Sequence, residues 1–424
     1  SSVSSCATPP GWRVWENRPL SDQQTFDVAI IGAGIAGSAL AASLAGRGLR
    51  IALVEAQPLV APDLPGTTDL GHFDPRVSAL TPRSRQLLAG LGAWDQIAAY
   101  RHCPYRRMMV WDAEGTGQIE FDCAEVNAPA LGHIVENRVV VSALLERVLE
   151  APDIHCFSPA RLQACQRQSS GSVLVELEQD APLQADLLVA ADGALSRVRE
   201  MMDFATREWD YGHRAIVATV QVERSHLATA WQRFLPSGPL AFLPLPGTAD
   251  AHYCSIVWSL QEALVDDLMA LDDGQFCAEL GTALEHRLGE VLGVSRRFAF
   301  PLRQRHAVDY IQPGVALIAD AAHTIHPLAG QGINLGLQDV GVLAQEIVAA
   351  KERGANPGDL QVLRRYQRRR KGENLLMMAA MDGFKRLFEE DALPVRWLRN
   401  VGMRGVSQLA PVKQRLMRHA MGVE

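Results

Sequence analysis

The sequence predicts an α/β chain, α+β overall, with a parallel sheet, an antiparallel-sheet layer and C-terminal helices. Three observations carry this. A β-branched run, a glycine-rich turn and an Ala/Leu-rich stretch form a strand–helix–strand unit near the start. From about Trp209 the texture changes to short alternating runs punctuated by proline and glycine. From about Gly332 the pattern is amphipathic with helical spacing. At 424 residues the chain is too long for one core. Its 48% hydrophobic and 21% charged residues place it among globular proteins.

The elements follow in order. Phe26–Ile31 (FDVAII) is a buried-strand pattern, Gly32–Gly37 a turn, the stretch to Gly46 a helix, and Arg50–Glu55 a second strand. Val28–Gly46 is 19 residues without a charge, near the length of a membrane span. Its four glycines and the apolar run that follows suit strand, turn and helix better. Residues 76–97 read as helical through Leu80, Leu87, Leu88, Leu91 and Trp94. Met108–Trp111 and Gln118–Phe121 around Glu114–Gly117 predict a hairpin, Val139–Leu149 a helix, and Asp186–Ala191 a buried strand. Ala215–Val222, Leu240–Leu245, Tyr253–Leu260 and Phe298–Leu302 form the antiparallel layer, with a more helical stretch over Gln261–Leu292. Val315–Ala319 returns to the buried-strand pattern, and a helix runs from about Gly332 to Arg353. Further helices reach Glu424, with Pro394 and Pro411 as breaks.

Charge and cysteine usage exclude several classes. The net charge of −7 argues against a nucleic-acid partner. It is unevenly spread: residues 351–424 carry 16 basic against 8 acidic residues, leaving residues 1–350 at −15. The seven scattered cysteines include no CxxC pair, which suits reduced thiols rather than a disulfide framework or a zinc site. The first 25 residues show no apolar h-region, so no signal peptide is expected, and a cytoplasmic location is.

Gly32-Ala-Gly34-Ile-Ala-Gly37 is a GxGxxG in its required context, after a strand and opening a helix, with Glu55 ending the next strand. Gly32 permits the tight turn, Gly34 lets a pyrophosphate approach, and Gly37 lets helix and strand pack closely. The helix N-terminus favours phosphate, and Glu55 suits a ribose diol. FAD and NAD share this motif. Two later segments also follow buried strands: Asp192-Gly-Ala-Leu-Ser-Arg-Val-Arg199, and Ile318-Ala319-Asp320-Ala-Ala-His323 leading into Pro327-Leu-Ala-Gly330-Gln331-Gly332-Ile-Asn334.

This ordered trio resembles the class A FAD-dependent aromatic monooxygenases of the p-hydroxybenzoate hydroxylase type: a dinucleotide fingerprint, a DG motif, then a GD motif. The chain is more closely similar to the ubiquinone-biosynthesis hydroxylases. That likeness rests on Asp320–Gly336 (DAAHTIHPLAGQGINLG), His133–Asn137 (HIVEN), Gly238–Pro244 (GPLAFLP), Ser255–Trp258 (SIVW), Arg365-Tyr366-Gln367 and Arg399–Gly402 (RNVG). Cys103–Arg107 and Gln304–Pro313 resemble the type acting at ring position C6, other segments the C5 type, and C5 is favoured over C6 and C1.

The resemblance implies a Rossmann-like FAD domain in three pieces, 26–99, 131–203 and 302–350, after a polar tail of residues 1–25. A substrate domain would comprise 100–130 and 204–301, followed by a basic helical region, 351–424. It implies FAD as cofactor, NADH or NADPH as electron donor, and hydroxylation of a 2-polyprenylphenol by O2 through a flavin C4a-hydroperoxide. Gly32, Gly34, Gly37 and Glu55 would hold the ADP half of FAD. Arg76, Asn137, Arg138, Asp192 and Arg199 would contact the cofactor, Asp320 the ribityl chain, and Pro327, Gly330, Gln331, Gly332 and Asn334 the isoalloxazine ring. The family pattern has glycine where Ala319 stands.

No side chain is nominated as a catalytic base, since the chemistry belongs to the flavin; His213 is a candidate pocket residue. His323 and His326, three residues apart, lack a third nearby ligand, so no metal is expected. The single GxGxxG argues against a separate NAD(P)H domain. The cluster Arg364, Arg365, Arg368, Arg369, Arg370 and Lys371 predicts contact with an anionic membrane face or an acidic partner, such as a ubiquinone-biosynthesis complex. Two other classes fit the same motifs: a geranylgeranyl-reductase-like flavoprotein, and a flavin-binding scaffold subunit.

Overall fold

The computed structural model describes residues 24–113, 117–324, 332–389 and 409–422. The strand Gln24–Ile31 is central to the first sheet. It pairs in parallel with Ile51–Val54 on one side and Leu183–Ala190 on the other. Ile154–Phe157 and Val315–Leu317 extend the parallel set outward on either side. Parallel strands need both faces covered. Ile35–Leu44 packs here between Asn137–Glu150 and Gly332–Glu352, and the core is fully buried at Val28, Ile30, Ile51, Leu53, Leu187 and Val189.

The second sheet has nine strands. Its longest, Thr206–Val222, runs antiparallel to both His252–Gln261 and Phe298–Ala307. Side chains alternate across it. Ile216, Ala218, Val220, Phe242, Ile256 and Trp258 pack with Phe276 and Leu280 of the helix Asp273–Ala283. The opposite, inner face meets a three-stranded sheet of Val77–Leu80, Gly132–Glu136 and Cys103–Tyr105 through Leu243, Tyr253, Ala79 and Ile134.

Several expectations need correction. Residues 76–97 are not one helix: Val77–Leu80 is a strand, followed by helices Pro82–Gly90 and Trp94–Tyr100. Thr81-Pro82 is a start signal, because the Thr81 hydroxyl accepts from Ser84 N and Pro82 has no N–H to lose. Phe298–Ala307 continues past residue 302 without leaving the antiparallel sheet. Pro411 lies in the first turn of Ala410–Met421 rather than breaking a helix, and Pro394 lies outside the described residues. Arg370 is no surface cation. It is 0% exposed on the helix Leu360–Glu389, with its Nε 2.8 Å from Asp339 Oδ1.

Candidate functional site

Ile31, Val54, Ala190 and Leu317 end four neighbouring parallel strands in one register row. The four ligand-type segments therefore leave the sheet side by side at its carboxyl edge, where open α/β sheets bind ligands. Gly32 has φ +100°, and a Cβ there would stand 2.5 Å from the Ala191 carbonyl oxygen. A Cβ on Gly37 would stand 1.8 Å from the Gly32 carbonyl oxygen, whereas one on Gly34 would meet nothing within 4 Å. The turn is thus closed against the protein at its first and third glycines and open at the second. Glu55 braces it, accepting from Ala33 N at 2.8 Å and Gln57 N at 3.0 Å.

Asp192 Oδ2 accepts from Arg197 N at 2.8 Å, while its buried Oδ1 has no partner among the described residues. A buried carboxylate oxygen left open beside an open glycine turn fits a hydroxyl-bearing ligand. Arg199 is buried and donates to the carbonyls of Ala194 at 2.7 Å and Ala321 at 2.9 Å. It ties the DG loop to the turn carrying Asp320. Ala319 adopts φ +51°, a conformation that favours glycine. Its N–H donates to Asp339 Oδ2 at 3.0 Å, an oxygen that also meets His323 Nε2 at 2.5 Å. Asp339 is fully buried; Asn374 Nδ2 at 3.2 Å joins Arg370 on its other oxygen. Burial alone would raise this carboxyl, but His323 and Arg370 outweigh it and hold it below the usual carboxylate range. Asp320, next in the chain, has an exposed side chain, yet the protein packed around it pushes its carboxyl up, an effect that His323 partly offsets.

Arg76 is exposed at the start of its strand, and its carbonyl accepts from Asn137 N at 2.9 Å. Asn137 Oδ1 accepts from Ser78 Oγ at 2.6 Å. Arg138 is committed to Glu136, 2.7 Å away, and to the His72 carbonyl. Glu136 also receives Arg101 Nε at 2.5 Å and Asp74 N at 2.7 Å. Arg101 and Asp339 escaped sequence reasoning because their partners are distant in the chain, Glu136 for Arg101 and Ala319, His323, Arg370 and Asn374 for Asp339. The Asn334 side chain is tied inside the protein, accepting from Thr81 N (2.9 Å) and Ser84 Oγ (2.7 Å) and donating to the Ala79 carbonyl (2.8 Å). His326, Pro327, Gly330 and Gln331 lie outside the described residues. His213 is half-buried, paired in register with Gln261 and Leu302.

Residues 25–378 match the family model described as FAD binding domain. The chain is 38% identical over 403 residues to 3-demethoxyubiquinol 3-hydroxylase of Escherichia coli, covering 94% of this chain and 99% of that one. It is 38% identical over 402 residues to ubiquinone hydroxylase UbiL of Rhodospirillum rubrum, covering 95% and 91%. It is 34% identical over 456 residues to the mitochondrial ubiquinone biosynthesis monooxygenase COQ6 of Homo sapiens, covering 96% and 95%. The fold is like that of p-nitrophenol 4-monooxygenase PnpA of Pseudomonas putida, with a TM-score of 0.76 at 19% identity over 94% and 99% of the two chains.

The open Gly34, the unpartnered Asp192 oxygen and the carboxylate-braced turn fit a flavin dinucleotide, and FAD is the cofactor of this chain. The chain is an FAD-dependent monooxygenase and belongs to the family of ubiquinone-biosynthesis hydroxylases.

Proposed function

We propose that this enzyme hydroxylates the aromatic ring of a polyprenylated phenol, with NADH or NADPH as electron donor and O2 as oxygen source, and with ring position C5 favoured. The carrying observation is the inner face of the second sheet. Val217, Val257 and Ala241 lie in one register row with Phe298, and Val217, Val257 and Phe298 are only half-buried. In the next row, Phe300 is 37% exposed beside Ala215. Half-open apolar side chains on the face opposite the packed helices suit a flat ring and an isoprenoid chain, each buried CH2 contributing about 0.8 kcal/mol. Gln232 continues the first row next to Ala241, and it is 6% exposed. Its amide, like the Ser255 hydroxyl on the same face, unpartnered among the described residues, is a polar group that would orient a phenol oxygen.

Bound FAD supplies the reduced ring that makes O2 reactive. Gly32–Gly37, Glu55, Asp192 and Asp320 would bind and orient the cofactor. The N-terminus of the helix Gly332–Glu352 would offer a bound flavin a partial positive charge. The apolar inner face excludes water, and Gln232 sets the angle at which the phenol ring is presented. The geranylgeranyl-reductase-like and scaffold readings lose ground to the near-full-length likeness to hydroxylases. Hydroxylation at C6 or C1 is the second reading, and the name of the Escherichia coli relative, a hydroxylase of demethoxyubiquinol, favours considering a ring already carrying other substituents. Turnover of a short-chain 2-prenylphenol under ¹⁸O₂, with mass spectrometry and NMR of the product, tests both. One labelled hydroxyl at C5 supports the proposal, a hydroxyl at C6 or C1 selects the second reading, and oxygen drawn from water overturns both.

A further inference from the structure

On the inner face of the second sheet one register row runs through Gln232, Ala241, Val257, Val217 and Phe298. Neighbouring strands lie about 4.8 Å apart, so these five strands make the row about 19 Å long. Gln232 is polar, whereas Ala241, Val257, Val217 and Phe298 are not. The apolar end of the row reaches an open edge. The strand Phe298–Ala307 meets His323–Thr324 only at Arg305 and His306, so beside Phe298–Leu302 no further strand pairs among the described residues. At that edge the Phe298 and Phe300 rings stack, with centroids 6.3 Å apart and planes at 12°. Among the described residues neither ring joins a hydrophobic core cluster, whereas Ala299 between them packs into the helix-covered core behind the sheet. Phe300 is 37% exposed.

We propose that the isoprenoid tail of the substrate lies along this row and leaves the protein over Phe298 and Phe300, which make the enzyme select long-tailed phenols. The inference rests on reading the substrate as a polyprenylated phenol. Continuity with the ring site selects the occupant. A phenol oxygen needs a polar partner, which Gln232 and Ser255 offer, and a chain attached to that ring finds only apolar side chains from Ala241 to Phe298. One isoprenoid unit ends short of the aromatic pair, and four units reach it. A further strand is a poor cover for this edge, because Pro301 interrupts its N–H donors. The opposite direction is already filled. Beyond Gln232 the row continues to Val110 and Ile119, and both pack against Phe234.

The test is steady-state hydroxylation of two 2-polyprenylphenols, with one and with four isoprenoid units, by the FAD-loaded full chain in one detergent. The readout is the ratio of kcat/KM, four-unit over one-unit, which cancels any loss common to both substrates. The parent should favour the four-unit phenol about tenfold or more, and Phe298→Ser with Phe300→Ser should remove about tenfold of that preference. Phe300→Leu, which keeps apolar bulk, should retain it, and Ile119→Ser should leave the ratio at the parent value. Titration of the oxidised flavin absorbance with each phenol, without NAD(P)H, should give the same ratio from binding alone. Flavin content and melting temperature report the fold, and Phe300→Ser alone carries the test should the double variant lose flavin. An unchanged ratio in the serine variants overturns the tail path while leaving the hydroxylase reading intact. So does a ratio that falls with Ile119→Ser instead, or a parent dimer that Phe300→Ser converts to monomers. A parent that hydroxylates neither phenol overturns the substrate reading and the tail path with it.

Discussion

The methyl group of Ala319 stands against the bare Cα of Gly336. A Cβ on Gly336 would lie 2.8 Å from the Ala319 Cβ. Ala319 occupies a left-handed conformation that favours glycine, and the residue it presses on, one turn into the next helix, is itself a glycine. Gly336→Ala should therefore force the Asp320 turn out of place. The expected cost is about 1–3 kcal/mol of stability together with weaker FAD binding. Ala319→Gly alone should change the melting temperature little, because relief of left-handed strain, about 1–2 kcal/mol, is offset by the entropy of an added glycine, about 0.4–1 kcal/mol. The double variant should recover FAD affinity. Melting curves and flavin titration of all three check this, and simple additivity of the two effects contradicts it.

Asp339 gathers the Ala319 N–H, His323, Arg370 and Asn374 around one buried carboxylate. Asp339→Asn removes the buried one of the two carboxylates that meet Arg370, leaving only the half-exposed Glu373, and should cost about 3 kcal/mol. The pH dependence follows from the lowered pKa. The stabilisation from this carboxylate is complete above its unfolded pKa of about 3.9 and is lost as pH falls through the still lower folded value. Thermal melts of parent and variant should differ by a constant amount at neutral pH and converge only in strong acid. Convergence already near pH 6 would contradict the assignment.

Asp320 sits on the turn that Asp339 and Arg199 hold. Asp320→Ala removes one charge-assisted hydrogen bond to the cofactor, about 1.5–3 kcal/mol, and should lower FAD occupancy after purification while leaving the apoprotein's melting temperature unchanged. Undiminished flavin content shows that another group holds the ribityl chain.

Gln232 lies on the inner face beside Ala241, outside the segments expected to bind FAD. Gln232→Leu should keep flavin content and substrate-free NAD(P)H oxidation, raise KM for a short-chain prenylphenol by about 2- to 10-fold, and uncouple NAD(P)H oxidation from hydroxylation. Steady-state kinetics with product counting decides it. Unchanged KM and coupling remove Gln232 from the substrate site.

Local chemistry made much of this protein legible before folding. Gly32, Gly34 and Gly37 follow a β-branched run and precede an Ala-rich stretch, and their spacing is dictated by a turn only a few residues long. The same holds for the hairpin over Met108–Trp111 and Gln118–Phe121, which forms as expected. Tertiary structure alone decided that Ile31, Val54, Ala190 and Leu317 share one row, because strand order is a contest of packing that no single segment records. It also separated the cations. Arg370 and Arg415 look alike in sequence, yet one is buried on Asp339, 31 residues away, and the other stands exposed on the helix Ala410–Met421. A charge declares its presence in the sequence, but its partner, and hence whether it stabilises the fold or faces solvent, is set by which helices come into contact.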